Sequence, residues 1–333
     1  MVPRDITAAQ HEQFVADQGF VLGIDIGGTK VALATGSVAG GLLNTLRMPT
    51  GAAAGADAVW PRVMDEAQAL VSQTAADCGG VLLGVGLACP GVIGETGVLL
   101  APNNPGWETL PVRRLLAESF APCPVEVIND VRAAAAAELE LGALAGVRSG
   151  LFVNIGSGIS VAIVIDGHIV AGGHGAAGEI AYQVVGAAAG PAFVDGQAPL
   201  EEAVSGQGLA ARAGDLLGEQ LSTAEVFARY DHDAAVHRLV DETVELMAVH
   251  LANLVVAFDP ERVVLAGGMM RQAEFILPRL RRVFERVVPF PPLVRLASLP
   301  DDAALAGALV TARAVARDRL LEVATTSRPE SHP

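Results

Sequence analysis

A glycine-rich turn beside an acidic residue is the first feature of this sequence that could perform chemistry. Asp25 precedes Gly27, Gly28 and Thr29. Unhindered glycine N–H groups can face phosphate oxygens, and the carboxylate of Asp25 could organise Mg²⁺ through water. These parts suit phosphoryl transfer from a nucleotide, although a G-G-T sequence serves equally well as an ordinary hairpin turn.

A second turn of the same kind lies about 130 residues further along the chain, at Gly156, Ser157 and Gly158. Two such turns on different lobes could hold the phosphates of one nucleotide when a two-domain protein closes. The pair is therefore a more specific indication than either turn alone.

An Asn-Asp pair lies between the two turns, at the end of a predicted strand. Asp130 could accept the proton of a sugar hydroxyl as its oxygen attacks phosphorus, and Asn129 could hydrogen-bond a neighbouring hydroxyl. The same pair could cap the following helix, and both roles can hold together.

The composition indicates a compact two-domain protein and excludes several classes. The chain has 333 residues, of which 51% are apolar and 18% are charged. Its net charge of −15 argues against nucleic-acid binding, which needs Lys and Arg at phosphates. The three isolated cysteines indicate neither disulfides nor a thiolate zinc site, and no segment is apolar enough for a leader or a membrane span. We expect a cytoplasmic protein without a membrane partner.

The hydrophobic pattern predicts an α/β protein in which both turns join paired strands. Residues from Phe20 onward form one predicted hairpin, and 150–165 repeats that design, which suggests two related halves. A helix over 53–76 and a buried strand over 81–89 follow the first hairpin. The other predicted elements are helices at 110–120, 132–141 and 303–320, a mainly helical stretch at 200–254, and strands at 124–128 and 262–265.

Eight short segments make the sequence similar to the ROK family of sugar kinases and sugar-responsive repressors, from Phe20 to Leu309. The segments are LGIDIGGTK (22–30), CPG (89–91), APNNPGW (101–107), IND (128–130), NIGSGIS (154–160), GAAGEI (175–180), LEEAVSG (200–206) and VLAGGMM (264–270). Their order and spacing agree with the family. The resemblance implies the two-lobed actin/hexokinase-like (ribonuclease H-like) ATPase fold with an interdomain cleft.

The resemblance also implies roles for the matching residues. Asp130 would be the catalytic base, and the sugar would be bound by Asn103, Asn129, Asp130, Glu179 and Glu201. ATP and Mg²⁺ would be held by Asp25, which contacts the metal through water, and by Gly27, Gly28, Thr29, Lys30, Gly156, Ser157, Gly158, Gly267 and Gly268. Lys30 is the only lysine of the chain. Chance placement explains a lysine at this position as well as a role in binding phosphate does.

One segment departs from the family pattern. Many members carry E-x-G-H followed by a C-x-C-G-x-x-G-C zinc motif, whereas residues 179–182 read Glu-Ile-Ala-Tyr and the matching positions near 192, 194 and 199 hold no cysteine. We therefore expect no zinc site and a loop held by packing. Tyr182 in place of histidine should alter which sugars are accepted.

The expected organisation has two lobes and two terminal segments. An N-terminal extension over 1–19 precedes a small lobe over 20–130 and a large lobe over 131–302. A helix over 303–320 is expected to pack back on the N-terminal lobe, and 321–333 to be a disordered tail. The family likeness also implies a homodimer.

The leading hypothesis is an ATP-dependent hexose kinase that phosphorylates a hydroxyl, at C6, of glucose or a related hexose. Mannose, fructose, allose and N-acetylated amino sugars stay open as substrates, as does polyphosphate as the donor. The alternative is a ROK-type sugar-binding regulator or sensor without turnover. A repressor would need a helix-turn-helix domain of about sixty residues before the first glycine turn, where only some twenty residues stand, with a net negative charge.

Overall fold

The computed structural model describes residues 19–186, 190–299 and 302–326, with side chains up to residue 321 in the last range. Within these ranges the chain divides into two compact units. The first contains the described residues of 1–137 and 301–333, and the second those of 138–300. Each unit is built around a five-stranded sheet.

The strands follow from short apolar runs separated by glycine, proline and asparagine turns. In the first unit they are β1 (Gly19–Ile26), β2 (Lys30–Ser37), β3 (Leu42–Pro49), β4 (Val81–Cys89), β5 (Val92–Ile93), β6 (Val98–Leu99) and β7 (Val125–Asn129). In the second unit they are β8 (Gly150–Ile155), β9 (Ile159–Ile165), β10 (His168–Ile169), β11 (Arg262–Ala266) and β12 (Leu293–Leu296).

The described residues form nine α-helices. They are α1 (Ala56–Cys78), α2 (Val112–Phe120), α3 (Asp130–Leu141), α4 (Pro199–Val204), α5 (Gly206–Leu217), α6 (Thr223–Ala228), α7 (Ala234–Phe258), α8 (Ala273–Val287) and α9 (Ala303–Thr326). None of the helices in the described ranges is both long and apolar enough to cross a bilayer.

The two sheets share one topology. Their strand orders are β3-β2-β1-β4-β7 and β10-β9-β8-β11-β12. In each, the first strand pairs with an antiparallel hairpin partner on one side and with a parallel strand on the other. The similarity of the two hairpins in the sequence is therefore matched by similarity of the sheets around them.

Helix α9 packs on one face of the first sheet through glycines in the strands. A Cβ on Gly86 would lie 2.0 Å from the Ala308 carbonyl oxygen, and one on Gly84 would lie 2.3 Å from that of Ala312. Helices α1 and α2 bury Val63, Leu116 and their neighbours in the other core cluster of this unit. The C-terminal helix thus belongs to the same unit as β1 and β4.

The core of the second unit is formed by its sheet and by helices whose apolar residues recur at helical spacing. In α7, Val240, Val244, Met247 and Leu251 are buried, and in α8 the spacing of four residues buries Ile276, Leu280 and Phe284. This periodic burial explains why both segments are helical.

Several element boundaries differ from the sequence analysis. The division between units falls within α3, after Ala137, and α9 continues through residues 321–326, which were expected to be tail. Strands β3 and β12 and helix α8 were not predicted at all. The expected extension was 1–19, of which residue 19 begins β1 and 1–18 lie outside the described residues. The rest of the tail from 327 and residues 187–189 of the loop also lie outside the described residues.

Candidate active site

The carboxyl ends of three strands meet at one edge of the first sheet. β1 and β4 are parallel, with Asp25 opposite Ala88, and β4 and β7 are parallel, with Cys89 opposite Asn129. Residues that follow these strands therefore lie at the same edge. The sheet brings together Asp25, the first glycine turn and the Asn129-Asp130 pair.

Hydrogen bonds hold the carbonyl groups of the first glycine turn and leave N–H groups free. The backbone N–H of Gly27 donates to the Lys30 carbonyl (2.9 Å), and that of Thr50 donates to the Thr29 carbonyl (3.0 Å). The Thr50 hydroxyl donates to the Gly27 carbonyl (2.6 Å). Within the described ranges, the N–H groups of Gly28 and Thr29 have no hydrogen-bond acceptor. A turn arranged in this way can bind an anion.

Asn129 caps helix α3. Its Oδ1 accepts from the backbone N–H groups of Val131 (3.0 Å) and Arg132 (3.1 Å), and its Nδ2 donates to the Gly91 carbonyl (3.1 Å). These bonds use both acceptor positions and one of the two amide hydrogens. Asn129 can therefore donate one further hydrogen bond, which is the capacity that a sugar hydroxyl would use.

The two carboxylates at this edge hold their protons more tightly than free aspartic acid does. Burial, followed by repulsion from Asp130, raises the pKa of Asp25 to about 7, and Lys30 opposes this shift. Burial also raises the pKa of Asp130, against the backbone N–H of Val131, which donates to its Oδ1 (2.8 Å). A carboxylate with a raised pKa is a stronger proton acceptor.

We expect the stability gain of the Asp25→Asn variant over the wild type to be larger at pH 8 than at pH 5, by about 1–3 kcal/mol. The pKa of Asp25 is about 7 when folded and near 3.8 when unfolded. The folded state therefore loses stability as pH rises through this window, and the amide loses none. Thermal melts at the two pH values measure the difference, and an equal shift at both would contradict the raised pKa.

Lys30 is engaged by an aspartate of the same unit. Its Nζ lies 3.0 Å from Oδ1 of Asp302, whose other carboxylate oxygen pairs with Arg47. Half of the Lys30 side chain is exposed. The ammonium therefore sits beside the turn in an exposed ion pair.

A cavity of about 570 Å³ lies in the second unit, at the carboxyl ends of β8 and β11. Four of the sequence-predicted residues line it, namely Gly156, Ser157, Gly267 and Gly268. Gly158 does not line it, although its carbonyl accepts from the Gly156 N–H (2.9 Å). A cavity of this volume can hold a nucleoside-sized ligand.

Backbone contacts fix the wall of this cavity. The Gly156 carbonyl accepts from the Gly206 N–H (2.9 Å), and the Gly206 carbonyl accepts from the Thr223 hydroxyl (2.7 Å). Gly267 has φ 92°, and a Cβ there would lie 2.4 Å from the Ile155 carbonyl oxygen. This position therefore requires glycine.

Several polar residues that line the cavity are not among the residues predicted from the sequence. They come from α5, the start of α6 and the turn after β11, and they are Gln207, Ser222, Thr223, Arg271 and Gln272. Gln207 directly follows the LEEAVSG segment, and Arg271 and Gln272 directly follow VLAGGMM. That adjacency was the available signal, but which helix faces turn toward the cavity depends on packing.

Two glutamates and Tyr182 lie close together in the second unit. Glu201 Oε2 accepts from the Ile159 N–H (3.1 Å), and a Cβ on Gly158 would lie 2.2 Å from that oxygen. Burial raises the pKa of Glu201. The pKa of the Tyr182 hydroxyl is raised by burial and then by the charges of Glu179 and Glu201. Carboxylates and a phenol in one place can bind hydroxyl groups.

The loop that follows Tyr182 packs against that residue through an aromatic contact. The rings of Tyr182 and Phe193 meet edge to face, with centroids 5.3 Å apart. Among the described residues, no group of three His, Cys, Asp or Glu side chains could hold a metal ion. Asp25 supplies one carboxylate beside the glycine turn, which fits Mg²⁺ because this ion keeps several waters and needs few protein ligands.

We expect metal analysis of the purified protein to find less than about 0.1 zinc per chain, because tetrahedral zinc needs four ligands that this loop lacks. Inductively coupled plasma mass spectrometry after dialysis measures the ratio. One zinc per chain would contradict the assignment of residues 179–182.

The sequence matches the model of the ROK family over residues 21–315. A glucokinase of Halalkalibacterium halodurans is 29% identical over 318 residues, covering 88% of this chain and 94% of the relative. An N-acetylmannosamine kinase of Salmonella heidelberg is 32% identical over 299 residues, covering 88% and 98%. The matches therefore span nearly the whole of both relatives.

Solved structures give the same result. The ROK hexokinase of Thermus thermophilus has a TM-score of 0.78 and 30% identity, covering 90% of this chain and 99% of its own. A ROK glucokinase of Streptomyces griseus, solved with glucose and AMPPNP, has a TM-score of 0.69 and 26% identity, covering 89% and 100%. A ROK transcriptional regulator, at 20% identity and a TM-score of 0.77, shares the fold.

These comparisons confirm the expected α/β fold of the actin/hexokinase type. They also support the expected class of enzyme, a sugar kinase. The family match covers most of the chain, and the chain therefore belongs to the ROK family.

Proposed function

We propose that this protein is an ATP-dependent hexose kinase that phosphorylates a hydroxyl, at C6, of glucose or a related hexose. The observation that carries the proposal is the edge of the first sheet, where a turn with free N–H groups adjoins two carboxylates of raised pKa. The kinase names of the relatives support it.

In this proposal Asp130 is the general base. Its carboxylate takes the proton of the sugar hydroxyl while the hydroxyl oxygen bonds to the γ-phosphorus, and the bond from that phosphorus to the ADP oxygen breaks. Asn103 and Asn129 orient the sugar by hydrogen bonds, as do Glu179 and Glu201. The products are a sugar phosphate and ADP.

In the Gly27–Thr29 turn the N–H groups of Gly28 and Thr29 hold the donor phosphates, and Lys30 adds positive charge nearby. Mg²⁺, when bound, neutralises charge on these phosphates. Asp25 would hold it through water, and Gly156 to Gly158 would form the second phosphate turn.

The adenosine of the donor occupies the cavity beside Gly267 and Gly268. Arg271 is the one basic residue among the described residues that line it, and an adjoining cavity that shares Gln207 is lined by the acidic Asp215. A long polyanion that ran through these two cavities would meet few cationic side chains. We therefore favour ATP over polyphosphate as the donor.

The proposal extends to location and assembly. A net charge of −15 fits ligands held by local geometry and no nucleic-acid partner. Three unpaired cysteines, Cys78, Cys89 and Cys123, fit the reducing cytoplasm. The homodimer is carried over from the family likeness.

A coupled ADP-release assay tests the proposal. ATP is supplied with Mg²⁺ to a panel of hexoses and N-acetylhexosamines, including glucose and N-acetylmannosamine. A parallel panel with polyphosphate is scored by the sugar phosphate formed, because polyphosphate yields no ADP. We expect ADP release that depends on one or a few sugars and on ATP. Sugar-induced thermal shifts without ADP release would support the regulator alternative, in which the protein binds sugar without turnover.

A further inference from the structure

The loop at 101–107 contains a buried amide without hydrogen bonds. Asn104 is 1% exposed, and within the described chain neither its Nδ2 nor its Oδ1 has a hydrogen-bond partner. Its neighbour Asn103, the residue assigned to the sugar, is exposed. A buried amide that forms no hydrogen bonds costs free energy, because it has lost its water without replacement.

Hydrogen bonds hold the backbone on both sides of Asn104. The Asn104 N–H donates to the Ala101 carbonyl (2.9 Å), and its carbonyl accepts from Trp107 (3.3 Å). The Pro105 carbonyl accepts from the Ala56 N–H (3.1 Å), which ties the loop to α1. Trp107 itself is buried. These contacts therefore fix the Asn104 backbone in one place.

That place is beside the phosphate turn. A Cβ on Gly28 would lie 3.1 Å from the Asn103 Cβ and 3.7 Å from the Asn104 Oδ1. The amide thus borders the space that the missing Gly28 side chain leaves. Within the described ranges, the N–H groups of Gly28 and Thr29 also have no acceptor. Within the described chain, the loop and the adjoining turn therefore both carry polar groups without hydrogen-bond partners.

We propose that Asn104 is a positioning residue for the phosphate turn, because its buried, unpaired amide borders Gly28. Its Nδ2 donates to the Gly28 carbonyl, which has no donor within the described ranges, only when the donor phosphates occupy that turn and take its N–H groups. The inference rests on the proposed function of the turn. The ligand-free protein is then destabilised by the desolvation of the unpaired Asn104 amide. This free energy is recovered when ATP binds, so Asn104 strengthens donor binding and lowers the stability of the ligand-free protein.

A purely structural amide would behave differently. If Asn104 served the fold through a trapped water, its replacement by an apolar residue of similar size would destabilise the ligand-free protein and leave the kinetics alone. If it positions the turn, the same replacement removes an unsatisfied group and weakens donor binding. The two roles therefore predict opposite effects on stability.

The test compares Asn104→Leu with Asn44→Leu. Asn44 is the matched control, since its Nδ2 is already paired with Thr74 (3.0 Å) and Asp77 (3.3 Å). Asn104→Ala serves if the leucine variant does not fold. The measurements are the melting temperature without ligand, the shift produced by MgATP, and KM and kcat for ATP and for the sugar.

For Asn104→Leu we expect an unchanged or higher melting temperature without ligand, a smaller MgATP shift, and a KM for ATP raised about tenfold or more. The sugar KM should stay within about threefold. Asn44→Leu should melt lower and keep the wild-type KM for ATP. Lower resting stability with unchanged KM for ATP in Asn104→Leu and Asn104→Ala would overturn the inference.

The proposed function and this inference fail separately. If the wild type shows no sugar-dependent ADP release, the kinase proposal fails, but a MgATP shift that Asn104→Leu loses still supports the role of Asn104. An active wild type with an equally active Asn104→Leu, at equal KM for ATP, overturns the inference alone. A wild type that neither turns over nor shifts with MgATP overturns both.

Discussion

Replacing Asp130 by Asn should lower kcat by about 10²–10⁴-fold while the affinity for the sugar changes by less than about threefold. The amide keeps the shape of the carboxylate and its Oδ1 can still accept from the Val131 N–H, so the start of α3 is preserved. It cannot take the proton of the attacking hydroxyl. Steady-state kinetics and sugar titration by calorimetry measure the two quantities.

The control for this prediction is Glu118→Gln, which removes a carboxylate from an exposed position of α2. We expect wild-type kinetics from it. A kcat for Asp130→Asn within tenfold of the wild type would remove Asp130 from the role of general base.

Replacing Gly178 by Ala should lower the free energy of unfolding by about 3–5 kcal/mol. If the variant still folds, its KM for the sugar should rise more than tenfold. A Cβ at Gly178 would lie 1.6 Å from the Val161 carbonyl oxygen, and φ is 91°. The Gly178 carbonyl also accepts from the Val161 N–H (2.9 Å), so the segment is fixed against β9. Any shift moves the adjacent Glu179.

Gly173→Ala is the matched control from the same glycine-rich loop. A Cβ there would have nothing within 4 Å, and its φ is not positive. We expect a change within about 0.5 kcal/mol and wild-type KM. Denaturant unfolding and kinetics of both variants decide the matter, and a Gly178→Ala protein as stable as Gly173→Ala would contradict the packing described here.

The elements predicted best are those that a continuous apolar run and a sharp turn define together. The strand predicted at 81–89 is β4, and the one at 150–155 is β8, with the same bounds. Both are largely buried, so every position favours apolar residues, and Pro90-Gly91 and Gly156 end them.

The elements that were missed carry weaker local signals. β3 is an edge strand with mostly exposed residues, among them Leu42 at 63%, and its pairing with β2 supplies what its own pattern lacks. The tail was expected from residue 321, whereas α9 continues to Thr326. Helix ends depend on tertiary contacts that composition does not record.

The residues of the candidate site likewise divide into those that the sequence could predict and those that it could not. That Asp25 and Asp130 lie at the same end of the first sheet could be predicted, because the carboxyl ends of parallel strands meet there. Arg271 and Thr223 could not, since they reach the cavity through helix and turn packing. Asn104 was passed over in favour of Asn103, because only the structure shows which of two adjacent amides is buried.

The most direct test of the central claim is ³¹P NMR of the protein with ATP, Mg²⁺ and the sugar that gives the largest ADP release. We expect a sugar-phosphate resonance that grows as the γ-phosphate signal of ATP declines, and we expect Asp130→Asn to abolish it. Release of inorganic phosphate alone, or equal product formation by Asp130→Asn, would contradict it.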